Sequence, residues 1–251
     1  MLDFARSLTV ASAGRYLLWR ARGRPGPIVL RTRAGPRFEM RPDGFGGGRK
    51  NDYGVAYEVF ASDVYGHAAR LRREEVRVVV DCGANVGLSV LRWLALFPRC
   101  RILAFEPHAG HAAQAARNVA LSGGDGRFEL IEAGIGAYER EAVLSDRGSG
   151  SAVLADGDGL RIRIVDVFPH LAGKRIDLMK IDTEGGEYEV LGDSRFEALD
   201  VRAIIMEWHA RADGSGREWC LSRLRSLGYR VEELANETHV GLLWAERGAG
   251  A

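Results

Sequence analysis

The stretch VVVDCGANVGLSV, residues 78–90, limits what this chain can fold into more than any other. A continuous β-branched run is the pattern of a strand buried on both faces. Here it ends in Asp81, turns through Gly83 and Gly87, and passes into LSVLRWLALF, whose apolar residues recur at helical spacing until Pro98 stops them. Strand, glycine turn and helix in that order open a βα unit. In open α/β sheets such a turn lies at the carboxyl ends of the strands, where ligands bind.

The same alternation continues. RILAFE (101–106) reads as a strand, HAAQAARNVALSG (111–123) as a helix closed by Gly123 and Gly124, and RFELIEA (127–133) as a third strand. From Gly136 to Asp166 the character changes. EAVLSD, SAVLADG and LRIRIVD are short, alternating and separated by Gly, Ser and Asp, which predicts hairpin strands inserted at a sheet edge. RIDLMKID resumes the main sheet, a helix follows around GEYEVLGD, VRAIIMEWH is the next strand, and GREWCLSRLRSLG is a helix ending at Gly228. YRVEEL and THVGLLWAE close the chain as a hairpin, giving seven main strands with an antiparallel final pair. The expected fold class is therefore α/β, a Rossmann-like sheet of seven mostly parallel strands.

Ahead of Val76, PIVLRTR and RFEMRP predict a small hairpin, FGGGRKND a glycine-rich loop, and YGVAYEVFASDVYG a helix leading into the sheet. The first 26 residues read as one amphipathic helix packed on the domain, with contact to a membrane surface or a partner as the alternative. Residues 1–52 are thus expected to form an extension on a core of 53–251, with no internal repeat.

Composition excludes a few classes. With 35 Lys and Arg against 34 Asp and Glu, the chain lacks the basic excess of a nucleic-acid-binding protein. Cys82, Cys100 and Cys220 are an odd set in predicted core segments without C-x-x-C spacing, which argues against disulfides and a structural zinc site and fits a reducing cytoplasm. The N-terminal stretch is interrupted by Asp3, Arg6 and Arg15, so neither a membrane span nor a signal peptide is expected there.

The glycine turn has definite chemistry. A pyrophosphate-binding G-x-G-x-x-G starting at Gly83 requires glycine at 85 and 88, where this chain has Asn85 and Leu88. The chain offers Asp81-x-Gly83-Ala84-Asn85-x-Gly87 instead. An acid at the strand end repels a diphosphate and suits a ligand bearing an ammonium. Glu106, followed by Pro107, closes the second strand 19 residues after Gly87, where a carboxylate accepts hydrogen bonds from both ribose hydroxyls. Ala133 and Gly134 end the third strand and leave a flat gap for an adenine. Acid, glycine turn and second acid together fit S-adenosylmethionine, a phosphate-free nucleoside with a cationic tail.

A second constellation faces the same crevice. IDLMKIDTEGGEYEVL places Lys180, Asp182, Glu184 and Glu187 around the end of the fourth strand, and IIMEWH brings Glu207 and His209 to the end of its neighbour. Methyl transfer to an aliphatic hydroxyl needs the acceptor aligned and its proton removed. Asp182 or His209 could be the base, with Glu207 orienting the histidine or the acceptor; alternatively Asp182 and Glu207 could hold a magnesium-like ion on the acceptor oxygen. Plainer readings stand beside these. Glu187 and Glu189 read as solvated or capping residues, Lys180 as the partner of a nearby acid, and His209 as a loop residue without chemistry. His108 and His111 have the spacing of a helical ligand pair but no partners for a metal, and Met179 and Met206 read as core.

VVVDCGANVGLSVL, ILAFEPH, IDLMKIDTEGGEYEVL and IIMEWH, in this order and spacing, closely resemble the FkbM family of S-adenosylmethionine-dependent methyltransferases. The resemblance runs from about Tyr53 to Trp244. It implies a class I methyltransferase sheet and O-methylation of a hydroxyl on a sugar, polyketide or other natural product, a small-molecule acceptor. By position it implies that Asp81, Gly83, Asn85, Gly87 and Glu106 line the cofactor site while Asp182, Glu184, Glu207 and His209 face the acceptor. The segment with Glu58 and Tyr65 is implied as a lid over the methionine end. Cys82, Thr183 and the sequence before about residue 50 depart from the family pattern. An NAD-dependent sugar-modifying oxidoreductase and a catalytically silent nucleoside-binding module are the alternatives, opposed by the mismatched glycines and by the presence of Asp81, Glu106 and Asp182.

Overall fold

The computed structural model describes residues 2–42, 52–144, 153–154, 159–211 and 214–248. The glycine-rich loop and much of the predicted SAVLADG strand lie outside the described residues.

The N-terminal extension consists of helices α1 (Leu2–Ser7) and α2 (Val10–Ala21) and the antiparallel hairpin β1 (Ile28–Arg31) with β2 (Arg37–Met40). One helix was expected over this stretch. The chain instead breaks at Leu8 and Thr9, where Leu8 forms a bridge with Thr32 and Thr9 caps α2 by accepting from the Ser12 amide.

The core follows as α3 (Asp52–Phe60), β3 (Val78–Cys82), α4 (Leu88–Leu96), β4 (Arg101–Phe105), α5 (Ala109–Leu121) and β5 (Phe128–Ile131). An inserted unit contains β6 (Gly134–Gly136), β7 (Arg140–Leu144), β8 (Val153–Leu154) and β9 (Leu160–Asp166). Then come α6 (Phe168–Leu171), β10 (Arg175–Ile176), β11 (Leu178–Ile181), α7 (Glu187–Gly192), β12 (Asp200–Val201), β13 (Ala203–His209), α8 (Gly216–Ser226), β14 (Arg230–Asn236) and β15 (Val240–Glu246).

The main sheet has seven strands in the order β14-β15-β13-β11-β3-β4-β5. β3, β4, β5, β11 and β13 pair in parallel, and β15 runs antiparallel to both of its neighbours. This is the expected doubly wound sheet with its closing hairpin. The insertion does not extend the edge strand β5. It forms a separate four-stranded sheet in the order β6-β9-β7-β8, with β6 parallel to β9.

Period-two alternation along the central strands separates two cores. Val79, Leu178 and Ile205 face one cluster with Leu91 and Trp93 of α4. Val80, Met179 and Ile204 face the other with Val190 of α7 and Leu224 of α8. The extension joins the first cluster through Phe4, Tyr16, Trp19 and Phe38. Phe4 and Tyr16 both pack their rings on Tyr53 of α3. α3 ends at Phe60, so Tyr65, expected on this helix, lies beyond a turn in which Asp63 takes a left-handed conformation.

Candidate active site

The turn after β3 is folded tightly against the end of β11. Gly83 has φ +87°, and a Cβ built there would lie 1.9 Å from the Asp182 carbonyl oxygen, so only glycine fits. The Gly83 and Ala84 amides both donate to the Phe105 carbonyl, at 3.0 and 2.9 Å. Gly87 is also left-handed, and a Cβ on it would meet Ala115 Cα of α5 at 2.8 Å. Asn118 of α5, fully buried, donates to the Val86 carbonyl and accepts from the Glu39 amide, tying the turn to the N-terminal hairpin.

Glu106 sits at the end of β4, 5% exposed. Its Oε2 accepts from the Asn85 amide at 2.8 Å and its Oε1 from the His108 amide at 2.9 Å. A carboxylate has about four lone-pair sites, so it retains capacity for further donors. Pro107 follows and leads the chain into α5. His108 caps that helix, its Nδ1 accepting from the Gly110 and His111 amides, and the two imidazoles stack 4.3 Å apart. Past the end of β4 lies a slot of about 240 Å³ lined by Gly83, Phe105, Gly134, Ile135, Arg140, Ile164, Glu189 and the segment Thr183 to Gly186; Glu106, expected to line the cofactor site, is not in its lining. Ala133 is fully buried next to Gly134, and a Cβ on Gly134 would meet Ile164 at 2.6 Å.

Asp81, expected to line the cofactor site, is in the lining of neither this slot nor the larger cavity beside it, among the described residues. It is fully buried, its Oδ2 accepts from Trp93 Nε1 at 2.8 Å, and its Oδ1 lies 3.5 Å from Lys180 Nζ. Lys180 stands between: 2% exposed, it is the cross-strand partner of Asp81, lies 3.2 Å from Asp182 Oδ2, and donates to the Gly83 carbonyl at 2.5 Å. Burial opposes its charge, but Asp182, Tyr65 and Asp81 together outweigh that and hold the ammonium well above its ordinary range. Burial pushes the Asp81 carboxyl up, against the pull of Lys180, Ser89 and Trp93.

The acids at the ends of β11 and β13 converge. A cavity of about 390 Å³ is lined by Val55, Glu58 and Val59 of α3, by Tyr65, by Gly83 to Asn85, by Lys180, Asp182, Glu184 and Glu207, and by Ala235, Glu237 and Val240 to Leu242 of the last hairpin. Asp182, Glu207 and His209 each bring one possible ligand atom within 4.8 Å of the others. Glu184 is held in a left-handed conformation with φ 52°, an uncommon state for a non-glycine residue.

Glu187 differs from expectation. It is neither solvated nor a simple cap: fully buried, its Oε1 accepts from the His209 amide at 3.0 Å and lies 3.1 Å from His209 Nδ1. Its Oε2 accepts from the Gly185 amide and from Thr183 Oγ1. Glu189 reaches the inserted sheet, pairing with Arg140 at 2.6 Å and accepting from the Ala137 amide. His209 is anchored further by Tyr188, whose hydroxyl donates to its carbonyl, and its Nε2 lies 3.2 Å from Glu184 Oε2. Burial disfavours its charge, but Glu184 and Glu187 prevail and push the imidazole up to about 10. Its two ring nitrogens thus lie 3.1 and 3.2 Å from two carboxylates, an arrangement that favours the imidazolium form at neutral pH.

The sequence reading missed Glu187 as the anchor of His209, and it missed the contribution of the last hairpin. The GEYE pattern shows an acid in a first helical turn but not which way that turn faces. Ala235 to Leu242 carry no motif and enter the site only through the antiparallel return of β15.

Comparison with known proteins bears on the family and the fold. Residues 81–231 match the methyltransferase FkbM domain. The chain is 31% identical over 230 residues to the AMB antimetabolite synthetase AmbE of Pseudomonas aeruginosa, an alignment covering 70% of this chain and 10% of that protein. It is also 31% identical over 169 residues to the methyltransferase sdnD of Sordaria araneosa, covering 51% of this chain and 65% of that one. The chain thus spans a small part of the first relative and just under two thirds of the second. Its fold is similar to that of an S-adenosylmethionine-dependent O-methyltransferase of Thermotoga maritima, with a TM-score of 0.50 at 14% identity over 90% of this chain and 80% of the other. With its seven-stranded sheet, its acid-flanked glycine turn and a domain match over more than half its length, the chain belongs to the FkbM methyltransferase family.

Proposed function

We propose that this protein transfers a methyl group from S-adenosylmethionine to a hydroxyl of a small metabolite. The cofactor suits the residues at the turn. Lys180, the buried cation there, is already engaged by Gly83 and Asp182. No ammonium is left over for a diphosphate from that side chain, Arg140 at the slot is paired with Glu189, and carboxylates line the cavities at Asp182 and Glu184. Gly83, the remaining acceptor capacity of Glu106, and the glycine-lined slot at Gly134 would hold a cationic nucleoside. When bound, S-adenosylmethionine supplies a methyl group on a positively charged sulfur, so that the new C–O bond forms as the C–S bond breaks and a neutral thioether leaves.

The chain's own task is to bind and orient the hydroxyl and to take its proton. Glu58, Glu184, Glu207 and Glu237 border the 390 Å³ cavity, and carboxylates accept hydrogen bonds from hydroxyl donors. The observation that carries the assignment of the base is the clamp on His209. An imidazole pushed up to about 10 is already protonated at neutral pH and has no capacity to accept a proton. Asp182, which lines the cavity beside Glu207, is then the proton acceptor, oriented by Lys180.

A second reading has one specific observation in its favour, the approach of Asp182, Glu207 and His209 within 4.8 Å of one another. Asp182 and Glu207 would hold a divalent cation that orients the acceptor oxygen and favours its deprotonated form. His209 would join them only after losing its proton.

The test is incubation of the purified chain with S-adenosylmethionine and a panel of hydroxylated sugars, polyketides and related metabolites, read by mass. Gain of one methyl group on an acceptor oxygen supports the proposal. Titration showing that the protein binds NAD and not S-adenosylmethionine would overturn it.

A further inference from the structure

α2 is apolar on both sides, and only one side is covered. Tyr16 and Trp19 point into the core, whereas Val10, Leu17 and Leu18 are 83%, 44% and 58% exposed. At 100° per residue, Val10, Gly14, Leu17, Leu18 and Ala21 fall on one outward stripe. These three residues are most of the large exposed hydrophobics among the described residues.

The stripe is bordered by one sign of charge. Residues 1–42 carry nine arginines against two acids, Asp3 and Glu39. Arg6, Arg15, Arg22, Arg24, Arg31 and Arg33 are all exposed. Arg15 lies on α2 beside Leu18, Arg22 caps its C-terminus with Arg24 just beyond, and Arg33 stands at its start, where its side chain donates to the Leu8 carbonyl. Asp3 is paired with Arg6, and Glu39 faces α5, where it meets Gln114 and Arg117.

From this arrangement we infer that α2 docks the protein on an anionic lipid surface, lying in the plane of the headgroups with Val10, Leu17 and Leu18 immersed. The chemistry is that of an interfacial helix, in which aliphatic side chains enter the acyl boundary and flanking cations pair with lipid phosphates. Guanidinium groups suit this pairing because they meet phosphate oxygens in bidentate geometry. A 12-residue helix is about 18 Å long, too short for the ~30 Å hydrocarbon core, so it lies on the surface and does not cross.

Two other occupants fit less well. A second copy of the chain would set arginine rim against arginine rim, a like-charge contact. A protein partner needs about 800 Å² per side for a stable interface, and one face of this helix offers on the order of 200 Å². Three protruding aliphatic side chains on a convex helix suit reversible lipid contact, whose strength scales with the apolar area immersed and the flanking cations.

The experiment is co-sedimentation of the full chain with vesicles of phosphatidylcholine alone or mixed in equal parts with phosphatidylglycerol. The expected result is binding to the mixed vesicles only, weakened by salt, and lowered by about tenfold or more in Leu17→Ser/Leu18→Ser and in Arg15→Glu/Arg22→Glu. Both pairs are exposed, and an unchanged melting temperature shows that each variant is folded; Val10→Ser replaces any that is not. Wild-type protein that stays in the supernatant with the mixed vesicles overturns the inference, as does equal binding to both vesicle types or undiminished binding by the leucine variant. Two further results reassign the face and also overturn it. Tighter binding to poly-L-glutamate than to the vesicles, lost in the leucine variant, gives it to an acidic polypeptide; a dimer in solution abolished by that variant gives it to a second copy.

Discussion

Lys180 Nζ donates to the carbonyl oxygen of Gly83 at 2.5 Å, joining the end of β11 to the turn after β3. The contact exists because Gly83 has no side chain to hold the two segments apart. It also places a buried ammonium between Asp81 and Asp182, in the wall of the 390 Å³ cavity.

Lys180→Met keeps most of the volume and strands the fully buried Asp81 carboxylate without its cation. Breaking a buried pair in this way costs about 3–5 kcal/mol. The melting temperature is therefore expected to fall on the order of 10 °C. Adding Asp81→Asn to the lysine variant removes the stranded charge and should recover a large part of the loss. Thermal unfolding followed by circular dichroism decides the matter: if the single variant melts with the wild type, the pair does not stabilise the fold.

Asp182→Asn tests the proposed base. The amide retains the shape of the side chain and cannot take a proton. Turnover is expected to fall at least ~100-fold while affinity for S-adenosylmethionine changes by only a few-fold. A fall confined to cofactor affinity, with turnover at saturation unchanged, would move Asp182 from proton transfer to binding. Glu106→Ala should behave in the opposite way, weakening cofactor binding by roughly tenfold or more, because it removes the carboxylate that holds the Asn85 and His108 amides at the turn. Calorimetric titration separates the two variants.

Part of this arrangement was legible in the sequence. The β3 run is continuous because both faces of the sheet are covered, and its glycines mark where backbone approaches backbone, so Gly83 and Glu106 could be placed from spacing. Lys180 was harder. A lysine inside an apolar run shows that some acid must accompany it, but only the register, in which Lys180 stands opposite Asp81, shows which one. Glu187 was misread for the same kind of reason. Its burial is set by the left-handed Glu184 and Gly185 just before it, which turn α7 back toward β13, and single-residue backbone reversals leave no periodic signal. The break between α1 and α2 was likewise invisible, because it is fixed by the bridge from Leu8 to the distant Thr32.

The clamp on His209 makes stability depend on pH with a definite sign. Its folded-state value, about 10, lies above the ordinary 6.5, so the native state binds the proton more tightly than the unfolded chain. The stabilisation is complete below about pH 6.5 and is lost as pH rises toward 10. Urea unfolding of the wild type and of His209→Gln, both with a chelator present, should therefore give a difference in stability that shrinks steadily across this window. A difference that stays constant from pH 6.5 to pH 9.5 would show that the ring is neutral in the folded protein.

The same protonation separates the two ways of activating the acceptor. A divalent cation at Asp182, Glu207 and His209 has to compete with the imidazole proton and with the Glu184 contact at 3.2 Å. If Asp182 alone takes the acceptor proton, dialysis against a chelator at pH 7 leaves turnover within about twofold, since general-base catalysis needs no bound ion. If a cation performs the step, the chelator abolishes turnover, and magnesium or manganese restores it more readily as pH rises, because binding then releases the His209 proton. Calorimetry of metal binding in two buffers of different ionisation enthalpy counts that proton directly. Glu184→Gln sharpens the comparison: removing one of the two carboxylates on His209 should lower its affinity for the proton, which strengthens metal binding under the second scheme and leaves chelator resistance untouched under the first.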